Sequence, residues 1–228
     1  MPISNHWHIP TVLHYITALK PLRVLDVGVG MGNYGFLLRQ NLDINYERIR
    51  KESWLVTIDG IEVFEGYRNP VWDYAYNKVL MGDVRTKLDC LECYDLIMCN
   101  DVLEHFEEQE AKQLIRKFSE KSSVLIATAP SYNQPQGAWG GNEAETHRCA
   151  LSANNFINLI AWKHTGATNF FICSNDQKQI AIIRKVSARC PVARPEMLPV
   201  VEGKFSGVCR RLSRVWLRLT TSVKPHQR

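Results

Sequence analysis

The chain has 228 residues, 45% hydrophobic and 22% charged, which suits one folded α/β domain and excludes global disorder. No run approaches the ~18 apolar residues that a membrane span needs, and the start, MPISNHWHIPTVLHYITALK, lacks the basic and apolar regions of a signal peptide, so a cytoplasmic setting is expected. The net charge of +5 is uneven: residues 1–184 hold 18 Lys/Arg against 21 Asp/Glu, whereas residues 185–228 hold 10 against 2, which assigns the basic character to an extension and not to the body.

In chain order, Ile9–Leu19 has apolar residues at helical spacing, and Arg23–Val29 reads as a short strand that runs into a glycine turn. A helix follows over Asn33–Gln40, then strands over Trp54–Ile61, Lys78–Met81 and Tyr94–Cys99. Glu107–Phe118 reads as a helix, with acids in its first turn and Arg116 and Lys117 in its last. Ser123–Ala129 is a fifth strand, stopped by Pro130. A long hydrophilic loop, Ser131–Ser152, follows; loops of that length in a compact domain usually have a use, and an acceptor-binding lid is expected. A helix capped at Ser152 or Asn154 is expected through Lys163, then strands at Asn169–Cys173 and Gln179–Lys185. Alternating strands and helices predict a doubly wound, mainly parallel sheet of seven strands with the last antiparallel. The expected organisation is a domain over 1–188 and a basic extension over 189–228.

Seven cysteines (90, 93, 99, 149, 173, 190 and 209) are odd in number and fall mostly in strand-like segments, as reduced thiols do. Cys90 and Cys93 form one CxxC, but no second ligand pair at zinc spacing follows it, so no metal site is expected.

The glycine turn, VLDVGVGMGNYG, decides the ligand class. Gly30–Gly35 spells GxGxxG, the dinucleotide pattern, yet the strand ends near Gly28, so the string is out of step with the strand end. Asp26 stands two residues before the turn, where an acid disfavours a pyrophosphate and suits a ligand that carries a cation. Asp26-x-Gly28-x-Gly30-x-Gly32 resembles the first motif of the class I methyltransferases that use S-adenosylmethionine (SAM). Ile58–Glu62, Gly82-Asp83-Val84 and Asp95–His105 resemble the next three motifs in order. IDGIEVFEGYRNPVW with PQGAWGGNEAETH is similar to a group of small bacterial methyltransferases.

That resemblance implies SAM as cofactor, with Asp26 at its amino-acid end and Gly28, Gly30 and Gly32 giving it backbone access. Glu62 would hold the ribose, with Asp59 one register away as second choice; Asp83 and Val84 would hold the adenine, and Asn100 and Asp101 would line the transfer site. His105 and His147 are the candidate bases for a small-molecule or glycan-like acceptor methylated at oxygen. Trp7 and His8 are candidate covers for the cofactor, or residues buried on the first helix. The rival readings are an NAD-dependent oxidoreductase on the same sheet and a non-catalytic SAM-binding scaffold.

In the extension, Val208, Leu212, Val215, Trp216, Leu219 and Val223 fall at helical spacing between arginines, which predicts a basic amphipathic helix. Three partners suit it: an anionic membrane surface, the domain itself, or a second copy in a homodimer. Nucleic acid is disfavoured because the body is slightly acidic.

Overall fold

The computed structural model describes Ser4 and residues 6–189. The chain enters through α1 (Ile9–Leu19) and β1 (Arg23–Val27), then passes through α2 (Asn33–Leu42), β2 (Thr57–Glu62), α3 (Pro70–Ala75), β3 (Lys78–Met81), α4 (Val84–Lys87) and β4 (Tyr94–Asn100). It continues through α5 (Glu108–Lys121), β5 (Ser122–Pro130), β6 (Leu159–Thr165), β7 (Thr168–Ser174) and α6 (Gln177–Arg189). The seven strands form one sheet in the order β3-β2-β1-β4-β5-β7-β6. β1 to β5 pair in parallel, and β7 runs antiparallel to both β5 and β6.

Strand alternation builds two cores, one on each face of the sheet. Val24, Ile58, Leu96, Met98, Val124 and Ile126 pack on the face covered by α1, α2 and α6. Leu25, Val27, Ile97, Cys99, Leu125 and Ala127 pack on the other, beneath α5. Burial on both faces is why the central strands read as near-continuous apolar runs.

Two segments depart from the sequence expectation. Over 152–163 there is no long helix: Ser152 and Asn155 close a capping box around a single 3-10 turn, Ala153–Asn155, and the chain then extends as β6. A tight hairpin through Gly166, at φ +62°, pairs β6 with β7, and this pairing overrides the helical spacing. Over 179–185 the expected strand is instead part of α6. Asp176 starts that helix by accepting the Lys178 and Gln179 amides, and its buried face of Ile183, Val186 and Ser187 lies against α1, with Ser187 Oγ 2.8 Å from Tyr15 Oη. Short apolar runs of this kind do not distinguish strand from helix by periodicity. The amphipathic helix expected near the C-terminus lies outside the described residues, and among those described no helix is long and apolar enough to cross a membrane.

Candidate active site

The site is organised by the turn after β1. Gly28, Gly30 and Gly32 all have positive φ, and a Cβ on Gly28 would stand 2.3 Å from Val102 Cγ2. A side chain at 28 is therefore excluded twice, by backbone conformation and by the turn after β4. Asp26 faces inward, because strand alternation puts it on the same face as Val24 and not towards the turn's ligand side. It is buried and accepts a hydrogen bond from Tyr76 Oη, which itself accepts one from the Gly35 amide. Burial pushes the Asp26 carboxyl up to about 7.

Two adjoining clefts, of about 280 and 100 Å³, open at the carboxyl ends of the strands and share Gly28, Glu62 and His105. Such a position is where open α/β sheets take ligands. Glu62, the last residue of β2, accepts the Gly30 amide at Oε2 (2.8 Å) and the Val63 and Phe64 amides at Oε1 (2.9 Å each). Burial raises its pKa, and the three amides oppose that rise. Asp59 lines neither cleft: it accepts from Tyr94 Oη and lies 3.5 Å from Lys78 Nζ.

Asp83 and Val84 line the larger cleft. Asp83 also caps α4, and Arg85 clasps its carboxylate and holds its pKa below the usual range. Asn100 and Asp101 line the smaller cleft. Asp101 adopts φ +53° and accepts from Thr128 Oγ1. Both polar atoms of the Asn100 side chain are buried without a partner among the described residues, as is the Tyr34 hydroxyl on the same cleft. Buried polar groups are normally satisfied, so these atoms fit a polar ligand. Gly30 lines the smaller cleft, whereas Gly32 and Asp26 line neither.

The loop between β5 and β6 folds back over this opening. Glu145 accepts from Tyr67 Oη at 2.9 Å, and Asn142 Nδ2 donates to the same hydroxyl. The amides of Arg148 and Cys149 both donate to the Glu104 carbonyl, and this pins the end of the loop to the turn after β4. His105 lines both clefts; burial depresses its pKa to about 4, and its Nε2 is 4.0 Å from Glu145 Oε2. His147 lines neither cleft but lies beside His105, ring centroids 5.0 Å apart and the rings tilted by 56°. At the other end of the chain, Ser4 reaches the smaller cleft and donates to the Asn100 carbonyl. Trp7 instead lies against Gly166 in the β6–β7 hairpin, and His8 is buried beside Phe170. Tyr34, Tyr67 and Asn142 line the smaller cleft and were given no role by the motifs; the signal for Tyr67 and Asn142 was their place within IDGIEVFEGYRNPVW and PQGAWGGNEAETH.

No protein-family model matches the chain, and no curated protein matches it. Solved structures do. An O-methyltransferase family protein from Burkholderia thailandensis superposes over 74% of this chain with a TM-score of 0.51 at 14% identity. The chain spans 57% of that protein's length. The fold is the methyltransferase fold. The magnesium protoporphyrin IX methyltransferase from Synechocystis PCC 6803, crystallised with SAH (the demethylated form of SAM), superposes over 73% of this chain and 81% of its own, with a TM-score of 0.50 at 17% identity. On this methyltransferase sheet the glycine turn, Glu62, Asp83 and Asn100 all stand at carboxyl strand ends, in the order the sequence motifs imply.

Proposed function

We propose that the chain is a SAM-dependent methyltransferase acting on a hydroxyl of a small-molecule or glycan-like acceptor. The observation that carries this reading is Glu62: a buried carboxylate at the end of β2, shared by both clefts and held by three amides, with Asn100 and Tyr34 on the same cleft and their side-chain polar atoms unpartnered among the described residues. Those residues fit SAM. Glu62 Oε2 uses only one of its accepting positions and would take the ribose diol. Asp83 and the Val84 amide would meet the adenine, Asn100 and Tyr34 the amino-acid end, and Gly28 and Gly30 would bring backbone against it. Asp26 would act through Tyr76, by holding the turn.

When bound, SAM supplies a methyl group on a cationic sulfur with a good leaving group, so the protein's work is to position the acceptor and exclude water. The loop carrying Asn142 and Glu145 would close over the acceptor. His105 would face the acceptor oxygen, with His147 bracing its ring.

A cytoplasmic setting fits the five free cysteines among the described residues. The basic extension would add a peripheral contact with an anionic membrane surface or a second copy of the chain. Sedimentation of the full chain and of a 1–203 truncation, each with and without anionic vesicles, separates these. Calorimetry tests the central reading. Binding of SAH without binding of NADH supports it; NADH binding alone overturns it in favour of an oxidoreductase; failure to bind SAH at all also overturns it.

A further inference from the structure

We infer that Glu104, His105 and His147 form a divalent-cation site at the edge of the smaller cleft, with a coordination position left for the acceptor oxygen. This rests on the methyltransferase reading and adds to it a second bound species.

One ligand atom from each of the three residues lies within 4.8 Å of the others. Bonds of about 2.0–2.2 Å set neighbouring ligands roughly 3–3.5 Å apart, so side-chain rotation closes the set around an ion. Three features show that the cluster is built. Glu104 is 2% exposed, and its Oε2 has no hydrogen-bond partner among the described residues. Burial raises the pKa of this carboxyl, so without an ion it holds a proton, and a cation would take that proton's place. His147 Nδ1 is 2.8 Å from the Gln134 carbonyl, which fixes the proton on Nδ1 and leaves the Nε2 lone pair for an ion. Carbonyls that accept from the far ring nitrogen orient metal-binding histidines in this way. His105 likewise turns Nδ1 towards the Thr146 carbonyl (3.4 Å), which presents Nε2. Finally, the Arg148 and Cys149 amides bind the Glu104 carbonyl, so the backbone next to His147 is fastened directly to the residue that supplies the carboxylate.

Two imidazoles and a carboxylate suit a borderline transition-metal ion such as Zn²⁺, Mn²⁺, Fe²⁺ or Co²⁺ better than Mg²⁺ or Ca²⁺. Three protein ligands leave a position open, the arrangement of a reactive and not a structural ion. His105 lines both clefts, so that open position faces the proposed transfer point. There the cation would polarise the acceptor hydroxyl. The O–H proton leaves to water, the oxygen forms its bond to the methyl carbon, and the C–S electron pair returns to sulfur. His105 then serves as a ligand and not as the proton acceptor. Zinc-motif spacing misses the site because His147 arrives on the long loop.

The test uses the full chain, with Co²⁺ as the probe. Titration followed by calorimetry and by the visible d–d absorption should show one equivalent bound, with no thiolate-to-cobalt band. His147→Ala, on the half-exposed member, should weaken Co²⁺ binding at least tenfold while SAH binding and the near-ultraviolet circular dichroism stay those of the parent; Glu104→Gln should do the same if it folds. Absence of stoichiometric binding, or unchanged affinity in His147→Ala, overturns the site. SAH binding measured on the same samples separates the two readings. Retained SAH affinity without Co²⁺ binding rejects the cation alone, and Co²⁺ binding without SAH binding rejects the cofactor reading on which its catalytic role rests.

Discussion

Tyr76 Oη stands 2.5 Å from Asp26 Oδ2 and donates to it, while the Gly35 amide donates to the same hydroxyl from 3.0 Å. One phenol thus ties β1 to the first turn of α2, across the glycine turn that both elements support. Tyr76→Phe removes the donor to a buried carboxylate and leaves the Gly35 amide without its acceptor. The expected cost is about 1–3 kcal/mol per unsatisfied group, read as a lower denaturant midpoint together with weaker SAH binding. Unchanged values for both would show that the turn holds itself.

The same pair gives a pH dependence. Burial lifts Asp26 from 3.8 to about 7 in the folded chain, so the folded state favours the protonated acid. Its contribution to stability is fully present below the unfolded value and is lost as pH rises through 7. Glu62, raised for the same reason, adds a contribution of the same sign. Urea midpoints should therefore fall between pH 4 and 7 from these groups, and Asp26→Asn should flatten part of that slope. A variant whose slope matches the parent's would remove Asp26 from the account.

At Glu62 the amide isostere is not conservative. Three N–H groups point at its two oxygens, so Glu62→Gln must aim its NH₂ at a donor. Glu62→Gln and Glu62→Ala should both lose roughly 1.5–3 kcal/mol of SAH affinity, the range for hydrogen bonds to charged groups. Calorimetry checks this, and parent-like affinity in Glu62→Gln would mean that the carboxylate charge is not used.

Gly28→Ala meets two obstacles, the Val102 methyl at 2.3 Å and a backbone at φ +77°. Val102→Ala should relieve the first and not the second, which costs about 1–2 kcal/mol for an L-residue. The double variant is expected to recover part of the lost thermal stability. Full recovery would show that the clash alone matters.

Tyr67→Phe cuts the hydroxyl that joins Glu145 and Asn142 to the body of the domain. Limited proteolysis should then cleave within residues 131–152 faster than in the parent, at little cost to overall stability. An unchanged cleavage rate would place the restraint on the loop elsewhere.

The readable parts of this chain were those whose pattern had one physical solution. β1, β2, β4 and β5 are buried on both faces, β3 is a half-buried edge strand, and all but β2 run into Gly28, Gly82 or Asp101 or stop at Pro130, so strand, direction and carboxyl edge could be inferred, and the clefts lie at that edge. The acid at the end of β2 was legible as Glu62 because the strand's last residue borders the ligand side; Asp59, three residues earlier, meets Tyr94 and lines neither cleft. The expected contact of Asp26 with the ligand is absent from both clefts, because the alternation that buries Val24 also carries Asp26 inward to Tyr76, a partner fifty residues away. The segments 152–163 and 179–185 were misread because Leu159–Trp162 and Ile180–Ile183 are apolar runs too short to show a period, and a hairpin and a capping aspartate decided them; the strand between them, read at Asn169–Cys173, is β7. The grouping of His147 with His105 depended on where a long loop returns, which no local pattern encodes.

That loop is fastened at both ends: the Ser131 amide holds the Ala167 carbonyl, and the Arg148 and Cys149 amides hold that of Glu104. Between these anchors Gly137, Gly140 and Gly141 have open space where a side chain would project, and Trp139 is half exposed. The tip is therefore the one stretch of the loop at which extra chain can be accommodated without disturbing either anchor. A short tag inserted between Gly140 and Gly141, carrying a fluorophore, would report the movement of the loop tip itself.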